Sequence, residues 1–136
     1  MDPRDEALRI CRTGLQRFRE GWATGQWRPF LELLAPSFVQ RVPIGPLRGR
    51  EVGLEEARRH FRSLTLLGAR LRLGEPFRVA ASETGVTFEL EVSGELYGLP
   101  YRNRLALSFD VAEGRITGLR EYFGDLDPAI LAKGLA

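Results

Sequence analysis

Leu8, Cys11, Leu15, Phe18 and Trp22 recur at alternating steps of three and four, the spacing that gathers side chains on one face of a helix. Arg9, Arg12, Gln16, Arg17 and Arg19 fill the positions between them. Asp2 followed by Pro3 supplies a capping acceptor and a preset φ at the start, and Gly25 ends the helix. A second, shorter helix is predicted over residues 26–34, with Trp27, Phe30, Leu31 and Leu34 inward and Pro29 in its first turn. Ala35-Pro36 stops it. Residues 37–42 read as a short strand, and Pro43, Gly45, Pro46 and Gly49 make the next stretch a turn-rich loop. A third helix over residues 51–64 carries the stripe Leu54, Ala57, Phe61 and Leu64.

Beyond that helix the period falls from 3.6 to 2. Leu71 and Leu73 alternate with Arg70 and Arg72, and Gly74-Glu75-Pro76 interrupts this strand at a point suited to a bulge. Val86, Phe88, Leu90, Val92 and Leu96 alternate with Thr87, Glu89, Glu91, Ser93 and Glu95. A Gly98-Leu99-Pro100 connection leads to a strand over residues 101–111, in which Tyr101, Asn103, Leu105, Leu107 and Phe109 share a face. Arg102 and Arg104, on the other face, are expected to meet Glu95 across the hairpin. A Glu113-Gly114 turn precedes a last strand over residues 115–123, and Asp127-Pro128 starts a terminal helix.

Runs of helix followed by runs of strand predict an α+β fold: three N-terminal helices packed on a strongly curved antiparallel sheet, a cone with an internal pocket. The 136 residues suit one domain, residues 1–136. The lone Cys11 cannot form an internal bridge, and its place on the buried stripe predicts an inert thiol. The charged N-terminus and the lack of a long apolar run predict a cytoplasmic protein that does not span a membrane.

The sequence pI is near 9.1, which raises the question of nucleic acid. The 20 basic residues, however, are interleaved with 18 acidic ones, and no basic stripe studded with aromatics appears, so no nucleic-acid partner is expected. His60 is the only histidine, and no cysteine or acidic cluster has metal-ligand spacing. No metal is therefore expected. With neither a glycine-rich phosphate loop nor a nucleophile elbow, no cofactor and no covalent serine chemistry are expected.

Three segments carry a resemblance that spans nearly the whole chain: Phe38-Val39-Gln40-Arg41-Val42-Pro43-Ile44-Gly45; Gly94-Glu95-Leu96-Tyr97-Gly98-Leu99-Pro100; and Gly114-Arg115-Ile116 leading to Arg120-Glu121-Tyr122-Phe123. In their order and spacing the chain resembles the nuclear-transport-factor-2-like superfamily, in particular its SnoaL-like and ketosteroid-isomerase-like members. Tyr101-x-Asn103 resembles one SnoaL-like subgroup. The resemblance implies a scaffold that hosts isomerases, cyclases, dehydratases, epoxide hydrolases and non-enzymes. The isomerase base position falls on Val42, its oxyanion-stabilising tyrosine on Phe18, and its second carboxylate near Leu105 or Ala106. All are apolar here, so that mechanism lacks its residues. The SnoaL-like cyclase aspartate falls on Glu121, while a histidine common on the preceding hairpin falls on Val92.

Glu121 is thus the candidate base. Facing the cone beside Leu119 and Phe123, it would have its pKa raised by apolar walls; facing outward, it would be solvated or paired with an arginine. Asn103 and Tyr101 are its candidate helpers, orienting it or polarising a substrate oxygen. Both also have structural alternatives, in backbone satisfaction and in core packing. Phe18, Trp22, Trp27, Gln40, Val42, His60, Leu105 and Phe123 are the expected pocket wall.

Two functions stand at this point. One is a cofactor-free isomerase, cyclase or dehydratase acting on a small apolar carbonyl compound. The other is a non-catalytic ligand-binding or dimerisation module. Both expect a small apolar ligand and a homodimer, because a sheet face of this kind needs cover.

Overall fold

The computed structural model describes residues 1–43, 45, 47–66, 70–125 and 127–135. Ile44 and Pro46 of the predicted loop lie outside them. Helix α1, Pro3–Thr24, begins where Asp2 accepts a hydrogen bond from the Arg4 N–H at 2.8 Å and ends at Gly25, whose φ of 80° is left-handed. Its predicted stripe turns inward: Cys11, Leu15 and Phe18 are buried, and Leu8 and Trp22 are half-buried.

The second helix is shorter than expected. α2 spans only Arg28–Leu31, and strand β1 already starts three residues before the predicted strand, at Leu34–Arg41. Pro36 therefore sits inside a strand rather than after a helix. β2, Val52–Gly53, is an unpredicted two-residue strand that takes the start of the expected third helix; α3 then runs Leu54–Leu66. The interrupted strand is two: β3, Arg70–Leu73, and β4, Arg78–Ala81, both antiparallel to β5, Gly85–Leu96. β6, Leu99–Ala112, and β7, Arg115–Phe123, follow, and α4, Pro128–Leu135, closes the described chain.

The sheet has the order β2-β1-β7-β6-β5-β3, with β4 also on β5. It is mostly antiparallel, but β1 lies parallel to β7, with Gln40 opposite Leu119 and Arg41 opposite Arg120. That pairing corrects the expectation of a wholly antiparallel sheet. Two features curve it. The β6–β7 register slips between Asp110 and Val111, a bulge that bends the strand. On β5, Gly94 has φ 139° and lies so close to β3 that a Cβ there would stand 2.2 Å from the Arg70 carbonyl oxygen.

The turn from β5 to β6 is Tyr97-Gly98, with φ of 54° and 76°, the backbone of a two-residue hairpin turn whose twist matches its strands. It pairs Leu96 with Leu99, and so Glu95 with Pro100 and Glu91 with Arg104. Arg104 accordingly stands 3.9 Å from Glu91, not against Glu95 as expected from a later turn.

The concave face is covered by α1 and α3. Phe18 packs edge-on against Trp22, Trp27, Phe30, Phe61 and Phe109, at centroid separations of 5.3–6.3 Å. Such geometry adds about 0.5–1.5 kcal/mol per pair to the burial itself. The Trp27 indole lies against the α1 backbone, where a Cβ on Gly21 would come within 2.3 Å of it. This aromatic block fills one end of the interior, and Trp22 at its margin borders a cavity toward the other end.

Candidate functional site

The open end holds a cavity of about 50 Å³. Trp22, Val42, His60, Leu105 and Phe123 line it as expected wall residues, and Tyr101 and Glu121 line it as expected polar ones. Three expected wall residues are elsewhere. Phe18 is sealed in the aromatic block at 0% exposure. Trp27 faces a separate surface groove beside Arg28 and Arg62, because Gly21 lets its ring dock on α1. Gln40 is 1% exposed but does not line the cavity. Sequence reading missed Leu64, Leu71, Leu73, Val92, Leu96 and Tyr97 as lining residues. For Leu71, Leu73, Val92 and Leu96 the signal was their inward parity, for Leu64 its place on the α3 stripe, and for Tyr97 an aromatic in a glycine turn.

Glu121 lies opposite Leu107 on β6, and its neighbours of like parity, Leu119 and Phe123, pair with Phe109 and Leu105. It therefore points inward, and the surface it keeps adjoins the cavity. Among the described residues no cation pairs with it. The arginine beside it in the chain, Arg120, points to the other face and is taken: it donates to the Asp110 carboxylate and, at 3.2 Å, to Ser108 Oγ. Gly118 makes room for this, since a Cβ there would collide with Asp110. Unpaired among apolar walls, Glu121 has its pKa pushed up to about 7 by desolvation.

Asn103 is buried at 5% exposure and fully engaged. Its Oδ1 accepts from the backbone N–H groups of Arg104 at 2.7 Å and Asp125 at 2.9 Å. Backbone N–H groups only donate, so the amide orientation is fixed. Nδ2 then donates to the Asp125 carbonyl and to the Tyr101 hydroxyl oxygen, both at 2.9 Å. Asn103 thus pins the chain leaving β7 and holds Tyr101, and it does not itself line the cavity. Burial raises the Tyr101 pKa, the Asn103 bond opposes that rise, and the Glu121 charge adds to it. The phenol stays protonated at neutral pH.

Burial lowers the pKa of His60, which favours the neutral imidazole. Burial raises the Cys11 thiol to about 12, leaving it without thiolate character. Among the described residues no group of three or more potential ligands is placed to hold a metal ion. None of the described helices is long and apolar enough to cross a membrane.

A family model for the SnoaL-like domain matches residues 15–119. The chain belongs to the SnoaL-like domain family. The match ends two residues short of Glu121, so the case for that carboxylate rests on its geometry. A crystal structure of an NTF2-like protein from Anabaena variabilis is 36% identical, with 90% of this chain and 92% of that one covered and a TM-score of 0.82. Two more distant structures share the fold. A candidate SnoaL-like polyketide cyclase from Jannaschia is 20% identical, with 91% and 89% covered and a TM-score of 0.71. An LEH-like epoxide hydrolase from M. tuberculosis is 20% identical, with 96% and 90% covered and a TM-score of 0.63. No curated protein sequence matches the chain.

Proposed function

We propose that this SnoaL-like chain works as a single-domain, cofactor-free enzyme that removes a proton from carbon next to the carbonyl of a small, largely apolar compound. One observation carries the reading: an unpaired carboxylate, Glu121, lines a cavity of mostly apolar wall and has its pKa raised to about 7. A base is most useful when its pKa lies near the working pH. Tyr101 supports it. Its oxygen accepts from Asn103, so its own O–H is left to donate to the oxygen on which enolate charge develops. Proton abstraction of this kind serves isomerisation, cyclisation and dehydration alike.

Exchange of ketone α-protons with D2O, followed by NMR, tests the reading without knowledge of the natural substrate. The wild type is expected to exchange small ketones and Glu121→Gln to lose that exchange while its ligand affinity changes little. Equal exchange by the two proteins rejects Glu121 as the base.

A specific observation keeps the non-catalytic alternative alive: the positions matching other family machinery, Phe18, Val42 and Val92, are buried hydrophobes. On that reading neither protein exchanges ketone α-protons, and Glu121→Gln alters ligand affinity modestly or not at all. A homodimer fits both readings. Val39 and Tyr122, 40% and 54% exposed, lie on the outer sheet face beside the Arg120–Asp110 pair and offer it a contact. Sedimentation of Tyr122→Lys against wild type tests it, with a monomer expected only for the variant.

A further inference from the structure

The inner cavity is small for the whole of a substrate. At about 50 Å³ it falls well below the roughly 300 Å³ at which ligand sites ordinarily begin. It does not stand alone. His60, Leu64 and Tyr97 line both this cavity and a second, outer pocket of about 310 Å³. The two spaces therefore share one wall, built from one face of α3 and the tip of the β5–β6 hairpin. Tyr97 is held there by its positive φ of 54° and by its hydroxyl, which packs over Gly45, where a Cβ would stand 3.2 Å from it.

The outer pocket has a different chemistry. Glu56, Arg59, His60, Ser63 and Leu64 follow one another along α3 at helical spacing, so the inward pair His60 and Leu64 is flanked by an outward rim of Glu56, Arg59 and Ser63. The Glu56 charge is met by Arg50, at 3.1 and 3.4 Å. Arg59 has no ion pair among the described residues. The Ser63 hydroxyl donates to the His60 carbonyl at 2.7 Å and keeps its lone pairs. Among the described residues the rim thus carries one cation without an ion pair, above a partly apolar floor that includes Leu47 and Leu64.

We infer that the substrate is bipartite: a keto acid whose carbonyl end occupies the inner cavity and whose carboxylate occupies the outer pocket against Arg59. The inference rests on the proton-abstraction reading for the identity of the inner group, but the outer subsite stands on its own geometry. The connecting carbons then cross the wall that His60, Leu64 and Tyr97 share between the two spaces. A neutral His60 suits that position, because a protonated imidazole would compete with Arg59 for the carboxylate.

Calorimetric titration with the straight-chain methyl-keto acids from 4-oxopentanoate to 9-oxodecanoate, each beside its methyl ester, tests the subsite. Over part of the series the wild type is expected to bind the acid roughly two- to fivefold more tightly than the ester, the gain of one partly exposed charge pair. Arg59→Gln is expected to remove that difference. A series with no acid preference, whether through equal binding or none, overturns the inference, as does a preference that Arg59→Gln leaves intact. Exchange of acetone α-protons by the wild-type protein needs only the inner cavity and reports the base separately. Acid preference without exchange leaves the outer subsite standing and removes the catalytic reading; exchange without acid preference does the reverse.

Discussion

Asn103 donates its side-chain N–H to the Tyr101 hydroxyl oxygen at 2.9 Å, and this sets the polarity of the phenol. With its oxygen accepting from below, Tyr101 has its proton to give, and it lines the same cavity as Glu121. Tyr101→Phe is therefore expected to lower turnover by about a hundredfold, the usual loss on removing one donor to a developing oxyanion. KM should change little. Steady-state kinetics on any ketone that exchanges check this, and an unchanged kcat would remove Tyr101 from the chemistry.

Asn103 itself acts through what it holds. Asn103→Ala strands two backbone N–H groups and the Asp125 carbonyl, and a loss of about 2–4 kcal/mol in urea unfolding is expected. Amide exchange should rise first in residues 124–135, the segment released from β6. Protection lost evenly across the chain would show that the contact is not local.

Gln40 presents the opposite case. Both its amide atoms are buried without a hydrogen-bond partner among the described residues, an arrangement that costs about 1–3 kcal/mol. Gln40→Leu is expected to raise the urea midpoint by a corresponding amount with the denaturant slope unchanged. A fall in stability instead would mean that the amide is satisfied by internal water.

Glu121 couples stability to pH. Its folded pKa of about 7 lies above the ordinary 4.5, so between those values the folded protein holds a proton that the unfolded chain has released. Stability is full below pH 4.5 and falls as pH rises through 7. The loss is about 3 kcal/mol at most. Glu121→Gln, which cannot ionise, should match the wild type near pH 4.5 and exceed it by up to that amount at pH 8. Parallel stability curves for the two proteins would exclude the coupling.

Much of this was legible in the chain. The stripe from Leu8 to Trp22 marked α1, and the even parity of Val86 to Leu96 and odd parity of Tyr101 to Phe109 marked the inner faces of β5 and β6. The direction of Glu121 was open in the sequence, inward beside Leu119 and Phe123 or outward to an arginine, until its pairing with Leu107 on β6 turned it inward. What was not legible is non-local. Nothing in Leu34–Arg41 announces a parallel partner some 80 residues away, and Pro36 there argued for an end rather than a strand. The hairpin register turned on whether Tyr97 accepts a positive φ, which an aromatic residue rarely does. Trp27 left the pocket because Gly21 admits its ring, and Asn103 found its partners in backbone that follows it by 22 residues.

The most direct measurement is the titration of the Glu121 side-chain carboxyl by 13C NMR, assigned by the signal missing in Glu121→Gln. A midpoint near 7 is predicted, as expected of a base held unpaired against apolar walls. A midpoint at the ordinary 4.5 would mean a solvated or paired carboxylate, and would contradict the account of the site.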